Sequence, residues 1–308
     1  MNMQRLSAPS LSILLYHRVL RQADPLFPEQ VDARLFERQL GLLKRYFRPM
    51  PLLEAVSRLR EGSLPARAAC ITFDDGYADN VQVALPLLQK HGLSACFFIA
   101  TGYLDGGQMW NDSIIERVRH AADGELDLSA YGLGRFPVKG LALRRQAIGT
   151  ILARLKYLPF DQRLDLVTQI HAGARYPSRP DPMMSSHQLL SLARAGMEIG
   201  GHTVSHPILS ALSDRAARAD IANGKRQLEA MTGAPVRLFA YPNGKAGEDY
   251  GPQHAQMVRH LGFEAALGTD WGVARPGADL YQLPRFTPWD RGRLRFLLRM
   301  GQNMLRSV

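Results

Sequence analysis

The stretch from residue 68 to residue 100 constrains the fold more than any other. An apolar run, Ala68–Phe73, stops abruptly at Asp74-Asp75-Gly76. Helical spacing follows over residues 78–90 up to Gly92, and a second apolar run fills 94–100. Two runs apolar on both faces, joined by a connection of helix length, predict parallel strands of one sheet. The same alternation recurs on either side. Residues 12–16 read as a first strand. Residues 32–46 read as a helix with Leu35, Phe36, Leu40 and Leu43 on one stripe and Asp32 as its N-cap, and 51–60 as a second, short helix. Further along come a helix over 185–195, a strand over 197–201, a helix over 213–231 and a strand over 237–241. A helix over 252–260, a strand over 263–267, a short strand near 283–286 and a final basic helix complete the chain. Some seven strands in this order imply an α/β fold of incomplete barrel type, with active groups at the C-terminal ends of the strands.

Residues 103–183 break the rhythm with Gly- and Asp-rich loops and two basic helical stretches, about 141–157 and 160–173. They read as a helical insertion into a barrel spanning 12–290, with too little apolar content for a core of their own. Residues 291–308 read as a basic C-terminal helix. A chain of 308 residues is a normal length for one such barrel.

Lys and Arg number 38 against 28 Asp and Glu, a net charge of +10, and 285–308 alone holds six arginines with one acid, Asp290. That balance suits a solvated face or a surface that docks an anionic partner. Nucleic acid is not expected, because no helix-turn-helix, zinc finger or aromatic RNA-binding pattern accompanies the charge. Cys70 and Cys96 lie in apolar runs without metal-site spacing, so buried free thiols are expected and nothing points to an oxidising compartment. The apolar run at 11–16 is too short for a signal-peptide core, and no stretch approaches the roughly 20 apolar residues of a membrane span. A cytoplasmic protein is therefore expected.

Three polar clusters fall at strand ends. In Thr72-Phe73-Asp74-Asp75-Gly76, a turn permitted by Gly76 brings both carboxylates to one pocket, or else the pair is a solvated strand end. In Gly200-Gly201-His202-Thr203-Val204-Ser205-His206-Pro207, two histidines four apart face one metal if the segment is helical or tightly turned. One Asp with two His leaves coordination positions open for water and substrate, as a catalytic site requires. A bound divalent cation acidifies water and polarises a carbonyl, and the second carboxylate then serves as general base. That equipment hydrolyses an amide or an ester. The third cluster, Phe239-Ala240-Tyr241-Pro242-Asn243-Gly244, is either an ordinary turn or a turn whose backbone N–H stabilises an oxyanion.

Together these motifs resemble the NodB-homology polysaccharide deacetylases, carbohydrate esterase family 4, and the likeness covers about residues 12–290. The opening Leu14-Leu15-Tyr16-His17-Arg18-Val19 is similar to a branch associated with exopolysaccharide synthesis. The resemblance implies a distorted (β/α)7 barrel that deacetylates an acetylated polysaccharide, oligosaccharide or glycan precursor, at nitrogen or oxygen. It implies Asp74 as general base and Asp75, His202 and His206 as ligands of a divalent metal, usually zinc. It implies the Asn243 N–H as oxyanion donor, and Tyr241 and Pro242 as walls of the substrate groove.

The chain departs from the family pattern twice. The third motif commonly carries an arginine that orients the base, and Ala240 stands there instead. Arg285 is the candidate substitute, its alternative being a surface arginine. The last motif often supplies a histidine as general acid, yet no histidine follows His260, which lies on a predicted helix. His17, at the C-terminal end of the first strand, is the candidate, or is structural. Trp110, beside Asn111 and Asp112, is expected to stack on a sugar ring or to sit in the core, with Trp271 and Trp289 as further candidates. The two departures also fit a metal-containing carbohydrate-binding protein without activity, although such a protein needs no base beside its ligand. The C-terminal arginines would serve peripheral contact with an anionic membrane.

Overall fold

Strands β1 (Leu11–Tyr16), β2 (Arg48–Pro49), β3 (Ala68–Phe73) and β4 (Cys96–Ile99) precede a small hairpin of β5 (Glu125–Asp127) and β6 (Arg135–Pro137); β7 (Glu198–Gly201), β8 (Leu238–Ala240) and β9 (Ala265–Leu267) follow it. The computed structural model describes residues 9–172 and 182–306. The main sheet is parallel in the order β1-β3-β4-β7-β8-β9, with β2 beside β3. All residues of β1 and β3 are buried, as the uniformly apolar runs require. Where a short strand was expected at 283–286, single parallel bridges pair Leu283 with Leu267 and Phe286 with Leu14. The segment thus spans the gap between β9 and β1 without becoming a full strand, and the curled sheet forms a half-barrel flanked by helices.

Strand parity divides the core. Leu11 and Ile13, Ala68 and Cys70, Cys96 and Phe98, Leu238 and Ala240, and Ala265 and Leu267 form one buried cluster. Leu14, Ile71, Phe73, Phe97, Phe239 and Tyr241 form another, which packs against the helices. Cys70 and Cys96 are buried free thiols.

Helix α1 (Ala33–Tyr46) starts where Asp32 accepts a hydrogen bond from the Leu35 N–H at 2.9 Å, and α2 (Leu52–Glu61) follows. The helix expected over 78–90 is really a π turn, Asn80–Ala84, leading into α3 (Leu85–His91), which Gly92 ends at φ 63°. The Asn80 side chain ties that turn to β1 by donating to the His17 carbonyl at 2.9 Å.

The insertion holds α4 (Trp110–Arg119), the β5–β6 hairpin, α5 (Gly140–Lys156) and α6 (Phe160–Ala172). The expectation that it lacks a core is corrected. Ile114, Val118, Phe136, Ile148, Ile151 and Leu155 belong to a separate buried cluster. Its apolar residues are dispersed over short elements, so no single window of sequence carries an obvious core. The part of the expected insertion at 173–181 lies outside the described residues.

Helices α7 (Ser186–Arg194), α8 (Asp214–Thr232) and α9 (Pro252–His260) complete the alternation, the first begun by a capping box between Ser185 and Gln188. The basic C-terminal helix, α10 (Arg293–Leu305), buries Phe296, Met300, Asn303 and Met304, and Asn303 donates to the Gly272 carbonyl at 3.0 Å. No helix among the described residues is long and apolar enough to cross a membrane.

Candidate active site

Asp74 continues the alternation of Ala68, Cys70 and Thr72 beyond the end of β3, and there it meets Arg285. Two guanidinium nitrogens of Arg285 each lie 2.7 Å from one carboxylate oxygen of Asp74, and its Nε donates to the Gly268 carbonyl at 2.7 Å. Both side chains are buried. Burial alone raises the Asp74 carboxyl; the Arg285 charge and hydrogen bonds outweigh it and hold the group below the usual carboxylate range.

The next residue turns away. Asp75 has φ 76°, a left-handed conformation that Asp visits more readily than most residues, and Gly76 continues the turn at φ 93°. Its Oδ1 lies 3.4 Å from Nε2 of His202 and 3.3 Å from Nε2 of His206, and one ligand atom from each of the three residues lies within 4.8 Å of the others. His202 Nδ1 is 2.7 Å from the Ala240 carbonyl. A carbonyl only accepts, so in the neutral ring Nδ1 carries the proton and Nε2 presents a lone pair to Asp75. Asp75 Oδ1 is buried and finds no hydrogen-bond donor among the described residues. Lone pairs converging on a buried carboxylate oxygen repel one another, and a divalent cation among them relieves that repulsion. The donor set fits such an ion. Burial raises the Asp75 carboxyl, but when the imidazoles carry a proton on Nε2 instead, they donate to Asp75 and hold it well below the usual range. Burial lowers His202, but Asp74 and Asp75 outweigh it and raise the group; burial pushes His206 down, favouring its neutral ring.

The histidines share one face because the segment between them is a tight turn. Thr203 and His206 are left-handed at φ 66° and 51°, and the His206 N–H donates to Thr203 Oγ1 at 3.0 Å. Asp220 of α8 accepts from the Val204 and Ser205 N–H groups at 3.3 Å each and from the Ser205 hydroxyl at 3.1 Å. Gly224 on the same helix lets the turn approach: a Cβ there would lie 2.8 Å from the Thr203 carbonyl. Asn243 is also left-handed, at φ 60°. Non-glycine residues in this region cost about 1–3 kcal/mol each, and their concentration around one cleft marks a functional constraint.

That cleft, about 430 Å³, is lined by His17, Asp74, Asp75, His202, His206, Asn243, Trp110 and Trp289 among others. His17 is exposed there, and Trp110 is half-buried with the Arg163 guanidinium 4.9 Å from its ring centroid. Tyr241 and Pro242 are corrected: both are buried and neither lines the cleft. Parity turns Tyr241 toward the helices, where its ring stacks on Tyr250 at 3.7 Å and its hydroxyl donates to the Tyr281 carbonyl at 2.9 Å. Trp271 packs against Phe286 and Trp289, while Trp289 is 42% exposed.

Sequence reasoning missed the roles of Arg18, Tyr77, Asp112 and Asp220. Arg18 donates to Asp79 at 2.8 Å and lies over the Tyr77 ring, whose hydroxyl reaches the Asp112 carboxyl. Burial pushes Asp112 up to about 6 in spite of Arg18. Of these, Arg18 lies within a motif legible in the sequence, Tyr77 directly follows another, and Asp112 stands two residues from Trp110.

The sequence profile of the polysaccharide deacetylase family matches residues 61–127 and 166–266, more than half of the chain. A Bacillus subtilis protein, YxkH, assigned to the polysaccharide deacetylases, is 21% identical over 277 residues, 89% of this chain and 70% of that one. Among solved structures, the deacetylase PplD of Streptococcus pyogenes superposes with TM-score 0.64 at 19% identity, covering 96% of this chain and 99% of that one. IcaB of Ammonifex degensii superposes with TM-score 0.63 at 20% identity, covering 97% and 98%. With the motifs of that family gathered at one end of its sheet, the chain belongs to the polysaccharide deacetylases and is a carbohydrate-deacetylating hydrolase.

Proposed function

We propose that this chain removes N-acetyl groups from a polysaccharide, oligosaccharide or glycan precursor, with a divalent cation, zinc, held by Asp75, His202 and His206. The observation that carries the reading is that two adjacent carboxylates keep separate company: Asp75 faces two imidazole nitrogens, while Asp74 is clamped by Arg285. A mixed nitrogen and oxygen donor set of three suits zinc with open positions. Bound there, the cation supplies Lewis-acid charge and a more acidic water.

The chain's own groups account for the remaining steps. Asp74, ionised beside Arg285, accepts a proton from the attacking water as the new C–O bond forms. The Asn243 N–H, which has no acceptor among the described residues, donates to the carbonyl oxygen as negative charge develops. When the C–N bond breaks, His17 gives its proton to the leaving nitrogen. Trp110 offers an aromatic face to the sugar. The segment from Leu14 to Val19 supports placement in the exopolysaccharide-associated branch, and the outer face of α10 supports peripheral contact with an anionic membrane.

Acetate release from N-acetylated oligosaccharides, with and without chelator, tests the reading. Release that stops with chelator and in Asp74→Asn is expected. If protein carrying one tightly bound metal ion per chain releases no acetate from any acetylated glycan, the hydrolytic reading gives way to a metal-containing carbohydrate binder.

A further inference from the structure

The two histidines keep their rings in place by different means. His202 is held through its own ring, by the 2.7 Å contact of Nδ1 with the Ala240 carbonyl. His206 has no such anchor: its Nδ1 is buried and bonds to nothing among the described residues. Metal-binding histidines are ordinarily oriented through the second ring nitrogen. The direction of His206 Nε2 is therefore set by the backbone that carries the ring.

That backbone is pinned from two sides. The Thr203, Val204 and Ser205 carbonyls accept from the Thr101 N–H at 3.2 Å, the Gly102 N–H at 2.9 Å and the Tyr103 hydroxyl at 2.9 Å, all in the turn that follows β4. The N–H groups have one acceptor from outside the turn among the described residues, the Asp220 carboxylate. Val204 and Ser205 present successive N–H groups to the same Asp220 oxygen, a concave backbone arrangement that binds anions. The other oxygen accepts from the Ser205 hydroxyl, and no cation pairs with Asp220 among the described residues. Asp220, Gly224 and Gln227 follow one another at i, i+4 and i+7 on α8. Gly224 gives the histidine turn room, and Gln227 accepts from the Thr101 hydroxyl, so one helix face grips both turns.

We infer that Asp220 is a positioning residue for the metal centre: by filling the N–H concavity at Val204 and Ser205 it holds the left-handed turn that aims His206 at the ion. The inference rests on the reading of Asp75, His202 and His206 as metal ligands, and Asp220 itself touches neither ion nor substrate. Without its carboxylate, Thr203 and His206 are free to leave a backbone region that such residues occupy only under constraint. Ion binding then weakens although all three ligands remain.

Zinc affinity of the full-length chain, measured by competition with a chromophoric chelator, tests it. Asp220→Ala should bind zinc about tenfold or more weakly than the parent. Asp220→Asn, which keeps one oxygen acceptor without the charge, should recover part of that loss. Leu228→Ala removes buried packing about two turns further along α8; it should melt lower without zinc yet bind zinc like the parent. Parent affinity in Asp220→Ala overturns the inference, as does an equal loss of affinity in Leu228→Ala. Should Asp220→Ala not fold, parent affinity in Asp220→Asn overturns it. A parent chain that binds no zinc removes the metal reading and this inference together. A parent that binds zinc, beside an Asp220→Ala chain of equal affinity, removes this inference alone.

Discussion

Arg285 and Asp74, 211 residues apart, form a two-pronged ion pair with both contacts at 2.7 Å and both side chains buried. The arginine that the third motif lacks at Ala240 is thus replaced by one arriving from the segment that bridges β9 and β1. Removing it leaves a buried carboxylate unpaired, which costs about 3–5 kcal/mol, so Arg285→Met should be less stable than the Asp74→Asn, Arg285→Met double variant. The sign of the pH effect follows from the depressed Asp74 pKa. The pair stabilises the fold above the ordinary carboxylate range, and that contribution fades as pH falls through the depressed value. Arg285→Gln should therefore move the acid limb of kcat/KM to higher pH and lower the plateau by about 10²-fold or more. An acid limb that stays in place would separate Arg285 from the base.

Metal removal should abolish acetate release, and refilling with zinc should restore it. Native mass spectrometry should find one equivalent of metal in the parent protein and none in Asp75→Ala or His206→Ala. Metal at about a hundred times its dissociation constant stabilises the fold by about 2.7 kcal/mol, so thermal unfolding should shift on loading in the parent but not in Asp75→Ala. A shift of equal size in that variant would move the metal elsewhere.

Tyr241 tests the correction made by strand parity. Its hydroxyl bonds the Tyr281 carbonyl within the fold, away from the cleft. Tyr241→Phe should lower stability by about 1 kcal/mol through the unpaired carbonyl and leave KM for oligosaccharide unchanged. A raised KM with unaltered stability would return Tyr241 to the substrate groove.

How far the site was legible follows from where its residues lie along the chain. Asp74, Asp75, His202 and His206 stand in compact motifs directly after apolar strands, so local pattern places them at one end of a sheet. Arg285 was visible only as a candidate, because its partner lies 211 residues away and nothing local specifies the pairing. Tyr241 adjoins the right turn but falls on the other side of the alternation, a matter of one residue in strand register. Asp220 sits on a helix whose own periodicity hides it, and Asp112 falls in a stretch that reads as a Gly- and Asp-rich loop although it is helical. Their roles arise only when those helices approach the cleft and the histidine turn. The insertion's core was missed for a related reason, since its apolar residues meet only in three dimensions.

Asp112 itself makes stability depend on pH. Burial raises its pKa from 3.8 to about 6, so the folded state keeps a proton that the unfolded chain releases between those values. Its contribution is fully present below the unfolded value and is lost as pH rises through about 6, at up to about 1.4 kcal/mol per unit. Asp112→Asn carries no such dependence. The variant should melt higher than the parent at pH 8, with the advantage shrinking toward pH 4. A constant difference between the two proteins across that range would show that the carboxyl is not held up by burial.

The outer face of α10 joins two features that a purely solvated helix does not need. Leu294 and Leu298, four residues apart, are 77% and 64% exposed. Arg293 and Arg295 beside them are exposed and have no acidic partner among the described residues, whereas Arg291 pairs with Asp32 and Arg299 with Asp290. Residues 293–306 contain no acid at all. Apolar side chains flanked by unpaired arginines suit the boundary of an anionic bilayer, where each arginine contributes about 1 kcal/mol and each leucine adds its burial. The protein should co-sediment with vesicles rich in phosphatidylserine and much less with neutral phosphatidylcholine. Arg293→Gln with Arg295→Gln should remove the salt-sensitive part of that binding, and Leu294→Ser with Leu298→Ser the part that persists at high salt. Phe296 and Met300, which hold the helix to the barrel, are kept in every variant, and thermal melts of the parent and both variants control for unfolding. Equal recovery with neutral and anionic vesicles, or binding indifferent to all four substitutions, would leave the arginines as a solvated surface.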